Sequence, residues 1–299
     1  MTVTDRTPRL AALWLATRPS QLALIGVVYT LGVGMATVLG SSTVPWRPVG
    51  VGAAILLPVA LSVHYANEYA DAETDRRTER TPFSGGSGAL ERTGVARSLL
   101  ARASGVALAV GVTGGAVAWW VGVVSATAVA FLVAIAVAGL AYSLPPVALV
   151  RLGVGEVTNA LLGGTLLPLY GVAVVSSVTV TTVLAVVPFT LLVGCNLLAT
   201  HWPDRDADAA VGKRTLAVRW SRGRLRTAYW ALATAAVVTT TALVGTVPTA
   251  VVAAQTLALP PLLWGGVVLT RQRSPFPAVS AMVVHASAST LAWWWLALT

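Results

Sequence analysis

Long apolar runs separated by short polar segments make up most of the chain. Nine of them have about the 20 residues that a helix needs to cross a bilayer. They lie near residues 20–40, 49–69, 98–119, 123–143, 155–175, 182–201, 226–246, 248–270 and 276–298. Barrel strands are excluded, because they are about 10 residues long and alternate apolar with polar positions. The pattern predicts an all-α polytopic membrane protein, a single domain over residues 1–299 with nine transmembrane helices.

The composition agrees with a membrane protein, since 56% of the residues are hydrophobic and only 10% are charged. Soluble proteins carry roughly 25% charged residues. The net charge of +9 does not indicate nucleic-acid binding, because the charges lie in short segments between apolar runs and form no separate basic domain. Cys195 is the only cysteine, which excludes a disulfide framework.

The basic residues predict the orientation of the bundle. With nine helices, 19 of the 20 lysines and arginines fall on the side of the N-terminus, and only Arg47 falls on the other. The positive-inside rule then places the N-terminus in the cytoplasm and the C-terminus outside. We therefore expect a protein of the cytoplasmic membrane, with a short cytoplasmic N-terminal segment over residues 1–18. All 11 acidic residues fall on the same cytoplasmic side.

The first acidic cluster follows the second apolar run. Asn67, Asp71 and Asp75 are spaced four residues apart. On an α-helix this spacing aligns three oxygen-bearing side chains along one face. Adjacent carboxylates repel one another unless a cation lies between them. Oxygen ligands without a histidine or cysteine set suit Mg²⁺, which the cluster therefore predicts as the cofactor.

The second acidic cluster follows the sixth run. Asp204 and Asp208 are again four residues apart, with Asp206 between them. A histidine precedes each cluster by three residues, His64 before Asn67 and His201 before Asp204. We expect the active site on two cytoplasmic loops, at about 67–97 and 201–225.

Basic residues follow both clusters and predict an anionic ligand. Arg77 and Arg80 come after the first cluster, and Lys213 and Arg214 after the second. Carboxylates that hold Mg²⁺, beside cations that bind phosphate oxygens, favour a diphosphate. The glycine-rich segment 84–88 is either an anion-binding nest or a flexible linker. The sequence around Lys213 lacks the upstream glycines of a Walker motif.

These motifs resemble the UbiA superfamily of intramembrane prenyltransferases, which carry N-D-x2-D-x3-D and D-x3-D motifs on two cytoplasmic loops of a nine-helix bundle. The first motif matches at Asn67, Asp71 and Asp75, with Glu68 in place of its usual aspartate, and the second at Asp204 and Asp208. The segments 142–156 and 204–219 resemble the 1,4-dihydroxy-2-naphthoate prenyltransferase branch. The resemblance implies that the five matching residues bind metal and that their aspartates are catalytic.

The resemblance also implies roles for residues outside the motifs. Arg18, which precedes Pro19 and the first run, is similar to a family residue and is expected to bind the diphosphate. The family commonly has a lysine where this chain has Val150, so Arg151 is expected to take that role one position later. Three tyrosines are expected to shield a carbocation with their rings, namely Tyr65, Tyr69 and Tyr142. An alternative role for the tyrosines is interfacial packing.

By this resemblance, two Mg²⁺ ions assist ionisation of a polyprenyl diphosphate, and the prenyl group passes to a lipid-soluble acceptor. The acceptor by analogy is an aromatic ring such as dihydroxynaphthoate, which would place the protein in menaquinone biosynthesis. Glycerol-lipid prenylation, carotenoid elongation and terpene cyclisation are alternatives within the superfamily. A cation-coupled transporter is a weaker alternative, because transporter sites lie near the bilayer midplane, whereas these carboxylates lie at its cytoplasmic edge.

Overall fold

The computed structural model describes residues 7–40, 43–77 and 86–299, and these residues form helices without any named β-strand. The helices are α1 (Thr7–Ala16), α2 (Pro19–Gly40), α3 (Trp46–Arg77), α4 (Ala89–Thr93), α5 (Ser98–Trp120), α6 (Ala126–Ser143), α7 (Leu149–Leu152), α8 (Gly155–Leu161), α9 (Leu167–Val175), α10 (Val180–Ala210), α11 (Leu216–Arg219), α12 (Arg222–Ala242), α13 (Thr249–Gln255), α14 (Leu259–Val268) and α15 (Phe276–Leu298). A π-turn joins α8 to α9, and a 3₁₀ turn joins α13 to α14.

Eight helical segments of the described residues are long and apolar enough to cross a membrane. They are α2, α3, α5, α6, α8 with α9, α10, α13 with α14, and α15. The prediction of an all-α polytopic membrane protein is thus confirmed. The run predicted at 226–246 forms the helix α12, which is not among the eight and begins with three arginines within five residues. Nine spans and the orientation of the termini stay predictions.

Two regions expected to be loops or tails are partly helical. Segment 1–18 contains α1, which buries the small side chains of Ala12 and Ala16 and exposes Leu10 and Trp14. The expected loops at 67–97 and 201–225 begin inside α3 and α10, which have 32 and 31 residues. At 1.5 Å per residue each helix is roughly 45 Å long, more than the bilayer's hydrocarbon thickness of about 30 Å. The acidic clusters therefore lie on helical extensions.

Helices α2 and α9 cross with their backbones in close contact. A Cβ atom at Gly32 would overlap the carbonyl oxygen of Pro168, and one at Gly171 would overlap that of Tyr29. Small residues allow such close approach between membrane helices, where packing rather than the hydrophobic effect drives association. This crossing fixes the position of α9, and with it the π-turn that leads into it.

Gly32→Ala is expected to destabilise the protein by about 1–3 kcal/mol, because the added methyl group must push two backbones apart. Gly26→Ala on the same helix is the matched control, since a Cβ atom there has nothing within 4 Å. Unfolding in mixed detergent micelles measures both changes. Equal stability of the two variants would contradict the close crossing.

The remaining helices surround a space between α3 and α10. Helix α3 packs on α5 and α6, α15 packs on α2, α10 and α14, and α3 contacts α10 directly. The α8–α9 segment closes one side, where its π-turn (Leu162–Leu166) contacts α10 and the hydroxyl oxygens of Thr165 and Thr190 are 2.8 Å apart. Local π-helical adjustments are tolerated in membrane helices, and Gly163 of this turn lines the cavity.

Candidate active site

A cavity of about 600 Å³ lies between these helices and changes from charged to apolar along its length. On α10 its lining residues run from Asp208 through Asn196 to Phe189. At 1.5 Å per residue this face is about 28 Å long. The apolar end is lined from several helices by Leu24, Val28, Leu56, Ile135, Val193 and Met282. The cavity therefore suits a molecule with a charged head and a long apolar tail.

Both acidic clusters meet at the charged end of this cavity. Asn67, Asp71 and Asp75 line it from α3, and Asp204 and Asp208 line it from α10. The four-residue spacing aligns each set along its helix, as expected from the sequence. The juxtaposition of the two sets, which lie over 100 residues apart in the chain, comes from the contact between α3 and α10.

Lys213 joins the two sets. Its Nζ lies 2.9 Å from Oδ1 of Asp71 and 3.6 Å from Oδ1 of Asp208. The chain reverses after α10 because Gly212 adopts a left-handed conformation, with φ of 78°. Burial lowers the pKa of the Lys213 ammonium, but Asp71 and then Asp208 raise it by more, so the pKa lies above its ordinary value. Lys213 is therefore a fixed positive charge between the carboxylates.

Arg18 also reaches the cavity and is held by Glu68. Its Nε donates to Oε1 of Glu68 at 2.7 Å, and Nη2 lies 2.5 Å from the same oxygen. Arg18 has a left-handed backbone, with φ of 50°, and the following proline disfavours the right-handed helical region. The adjacent carbonyl of Thr17 bonds to Nδ1 of His64 at 2.7 Å. These contacts compensate for the strained backbone between α1 and α2.

The segment after the first cluster folds back onto the same carboxylate. Glu68 accepts hydrogen bonds from the backbone N–H of Ser87 at 2.8 Å and from its hydroxyl at 2.7 Å. Gly86, with φ of 67°, lies so close to Asp75 that a side chain there would overlap the carboxylate. Glu68, which replaces the usual aspartate of the motif, thus anchors Arg18 and the end of the glycine-rich segment.

Three of the expected diphosphate-binding cations lie away from the cavity. Arg77 pairs with exposed Glu73 at 2.7 Å, and the side chain of Arg214 is exposed. Arg151 is also exposed, whereas Val150 lines the cavity. Successive helical residues differ in direction by about 100°, so a one-position shift moves the charge outside. The remaining cation, Arg80, lies outside the described residues.

Only one of the three expected tyrosines lines the cavity. Tyr142 does so from α6 and packs beside Gly155. Tyr65 packs with Ala16 and Leu100 instead. Tyr69 joins the same cluster and lies under the guanidinium of Arg97, at 5.2 Å from the ring centroid. For Tyr65 and Tyr69 the geometry favours the packing alternative, because they lie on a different face of α3 from the carboxylates.

A buried histidine–carboxylate pair at the cavity wall was missed as a candidate site. Nδ1 of His201 lies 3.0 Å from Oε1 of Glu156, and His201 lines the cavity. The same Oε1 accepts the backbone N–H of Leu216 at 2.6 Å. The sequence did hold a signal for His201, because a histidine precedes each acidic cluster by three residues. Nothing in the local sequence pairs it with Glu156, 45 residues away.

The charged end of the cavity offers oxygen ligands for a hard cation. Among the described residues no three acidic, histidine or cysteine side chains already form a compact metal site, and Lys213 lies between Asp71 and Asp208. Oδ1 of Asn67 is buried and accepts no hydrogen bond from the described residues. An unsatisfied amide oxygen beside several carboxylates matches the ligand preference of Mg²⁺. The residues present therefore fit this cation.

Comparison with known families gives the identity of the chain at the family level. Residues 26–297 match the UbiA prenyltransferase family. The chain belongs to this family. The expectation of a prenyltransferase is therefore confirmed, whereas the dihydroxynaphthoate branch of the UbiA enzymes is not decided by this match. No curated protein matches the sequence.

Several solved structures share the fold at low sequence identity. The UbiA homologue from Archaeoglobus fulgidus bound to GPP and Mg²⁺ is 13% identical, with a TM-score of 0.68 over 96% of this chain and 100% of that one. The apo UbiA homologue from Aeropyrum pernix K1 is 15% identical, with a TM-score of 0.66 over 91% and 96%. A structure of digeranylgeranylglyceryl phosphate synthase is 13% identical, with a TM-score of 0.67 over 97% and 99%.

Proposed function

We propose that this UbiA-family enzyme ionises a polyprenyl diphosphate with Mg²⁺ and transfers the prenyl group to a lipid-soluble aromatic acceptor. The convergence of two carboxylate sets and Lys213 at one end of an otherwise apolar cavity carries the proposal. A diphosphate suits the charged end, and an isoprenoid tail suits the apolar end. The proposal includes a single prenyltransferase domain that spans residues 1–299.

The residues that would hold the metal are Asn67, Asp71, Asp75, Asp204 and Asp208. When bound there, Mg²⁺ would neutralise the charge that develops on the departing diphosphate. Lys213 and Arg18 are the cavity cations that would bind the diphosphate oxygens, because both are held at the charged end by carboxylates. Their positive charges would balance the part of the negative diphosphate charge that the metal does not neutralise.

The prenyl group would lie along the apolar walls of α2, α3 and α10. Tyr142 lines the cavity at the charged end, and its ring face would stabilise an allylic cation by a cation–π interaction. Depletion of water along the apolar wall would protect that cation from hydrolysis. The charged end would face the cytoplasm, in keeping with the distribution of the basic residues.

The acceptor is proposed from the sequence. The segments 142–156 and 204–219 resemble the dihydroxynaphthoate branch, which favours an aromatic acceptor and a place in quinone biosynthesis. A glycerol-lipid acceptor is the second candidate, since digeranylgeranylglyceryl phosphate synthase has a similar fold. Two ions of Mg²⁺ are part of the proposal, because each carboxylate set supplies ligands on its own helix.

The purified protein, incubated with geranylgeranyl diphosphate, Mg²⁺ and single acceptors, tests the proposal directly. We expect diphosphate release together with a prenylated dihydroxynaphthoate, and loss of both on removal of Mg²⁺. Product analysis by mass spectrometry distinguishes the alternatives. A prenylated glycerol phosphate would favour the second acceptor. A cyclic hydrocarbon formed without an adduct would reject the transferase assignment.

A further inference from the structure

The wall of the cavity carries a histidine that the diphosphate machinery leaves unused. His201 lies on α10 three residues before Asp204, about 4.5 Å along the helix. It is therefore less than one helical turn from the carboxylates, on the side of the apolar tail. The reacting carbon of a prenyl diphosphate is bonded directly to a diphosphate oxygen, so it would lie at about this depth.

Glu156 fixes the orientation of the His201 ring. The Nδ1 edge faces Oε1 of Glu156 at 3.0 Å, and Glu156 is itself only 4% exposed. A carboxylate accepts hydrogen bonds, so Nδ1 carries the proton and donates it to Glu156. Nε2 then holds the lone pair, on a side chain that lines the cavity.

The segment that follows the second acidic cluster also contacts this pair. Leu216 donates its backbone N–H to the same oxygen of Glu156, and the segment between Asp208 and Leu216 carries Lys213. The other oxygen of Glu156, Oε2, is buried without a hydrogen-bond partner in the described residues. The hydrogen bond from Leu216 thus links the pair to the segment that carries Lys213.

Whenever a prenyl cation replaces a hydrogen on the acceptor, one proton must be released. We propose that His201 is the base that removes this proton, with Glu156 as its positioning residue; this inference rests on the proposed function. The diphosphate leaves with the electron pair of the broken C–O bond. An electron pair of the acceptor forms the new bond to the allylic carbon. The proton from the acceptor's ring carbon or hydroxyl oxygen passes to Nε2, and water later removes it from the imidazolium.

The other titratable side chains of the cavity suit this task less well. The aspartates are the proposed metal ligands, and Lys213 is charged. His64 also lines the cavity, but its Nδ1 bonds to the neutral carbonyl of Thr17. A carboxylate stabilises an imidazolium more strongly than a carbonyl does, because the hydrogen bond is then between two charged groups. Glu156 therefore favours His201 over His64.

Replacement of His201 by alanine, followed by addition of imidazole, tests the proposal. General bases contribute roughly 10²–10⁴-fold to rates, so His201→Ala is expected to lower prenyl transfer at least about 100-fold. Imidazole fills the space of the missing ring and should restore part of that loss. The matched control is His285→Ala, because His285 does not itself line the cavity, although it is buried and stacks on the lining residue Phe189. It should retain turnover within about twofold and gain nothing from imidazole.

A second variant and a second measurement exclude a purely structural effect. Glu156→Gln keeps the shape of the pair but removes its charge, and should lower transfer about tenfold. Mg²⁺-dependent binding of geranylgeranyl diphosphate reports whether each variant is folded. An acceptor deuterated at the reacting position should slow His201→Ala more than the wild type, because proton removal then limits the rate.

The outcomes separate this inference from the proposed function. Wild-type protein that releases no diphosphate rejects both. If the wild type is active, normal turnover by His201→Ala rejects only the base. His201→Ala could instead lose turnover while it still binds substrate. If imidazole then fails to rescue it and no isotope effect appears, the base assignment is also rejected and the pair has a structural role. If His201→Ala does not fold, unchanged turnover by Glu156→Gln rejects the proposed pair.

Discussion

Asp71→Asn is expected to lower prenyl transfer by about 10³-fold while leaving the protein folded. Asparagine has the shape of aspartate but no charge, so the variant removes one anionic ligand from the proposed metal site. It also removes the negative charge that lies 2.9 Å from Nζ of Lys213. Preorganised electrostatic groups at developing charge are worth up to about 10³-fold each. Steady-state transfer with geranylgeranyl diphosphate measures the loss.

Glu73→Gln is the matched control for this experiment. Glu73 lies two residues from Asp71 on α3, but it is exposed and pairs with Arg77 outside the cavity. We expect its turnover to equal that of the wild type. Raising the Mg²⁺ concentration should partly restore Asp71→Asn if metal binding is weakened. Similar activity of the two variants would refute the assignment of the first carboxylate set.

Glu68→Gln is expected to lower the free energy of unfolding by about 3 kcal/mol, the lower end of the range for breaking a buried ion pair. Glu68 is 3% exposed and accepts hydrogen bonds from both Arg18 and Ser87. The variant leaves the guanidinium of Arg18 without its counter-charge and turns an amide nitrogen towards donors. The expected loss of free energy lies at the lower end because the Arg18 side chain keeps 22% of its surface exposed.

A double-mutant cycle with Arg18→Met tests whether this loss comes from the pair. The double variant should be more stable than the sum of the single effects implies, since it contains no uncompensated charge. Glu73→Gln again serves as the control, and its exposed pair with Arg77 should matter much less. Unfolding in mixed micelles measures the stability of the wild type, the two single variants and the double variant. Additive losses would show that Arg18 and Glu68 do not depend on one another.

Local patterns were sufficient for much of the fold and part of the site. Apolar runs longer than the bilayer core predict helices whatever their neighbours are, and eight spans formed where runs were expected. Gly122 lies in the short turn between α5 and α6, and its φ of 69° explains the choice of residue. The four-residue spacing of Asn67, Asp71 and Asp75 required only helical geometry. The charged helix α12 shows the limit of hydropathy, because it is helical without being apolar enough for the same count.

Roles that depend on side-chain direction were harder to predict. Arg77 and Arg151 are near the motifs in sequence but lie away from the cavity, because a shift of one or two residues on a helix turns a side chain by 100–200°. Tyr65 and Tyr69 are excluded from the cavity wall for the same reason. Arg214 is exposed in the non-helical segment between α10 and α11. Glu68 matched a motif position, yet its contacts to Arg18 and Ser87 give it an anchoring role.

The sequence alone determined the helical membrane class, the chemistry of the two acidic sets and the family resemblance, because each depends on composition or on spacing within one helix. Only the tertiary structure decided which residues meet. The contact of α3 with α10 brings Asp71 and Asp208 to the two sides of Lys213, and the return of the chain after α10 links Leu216 to Glu156 and His201. Such contacts join residues far apart in the chain, and helix packing, not local sequence, sets their distances.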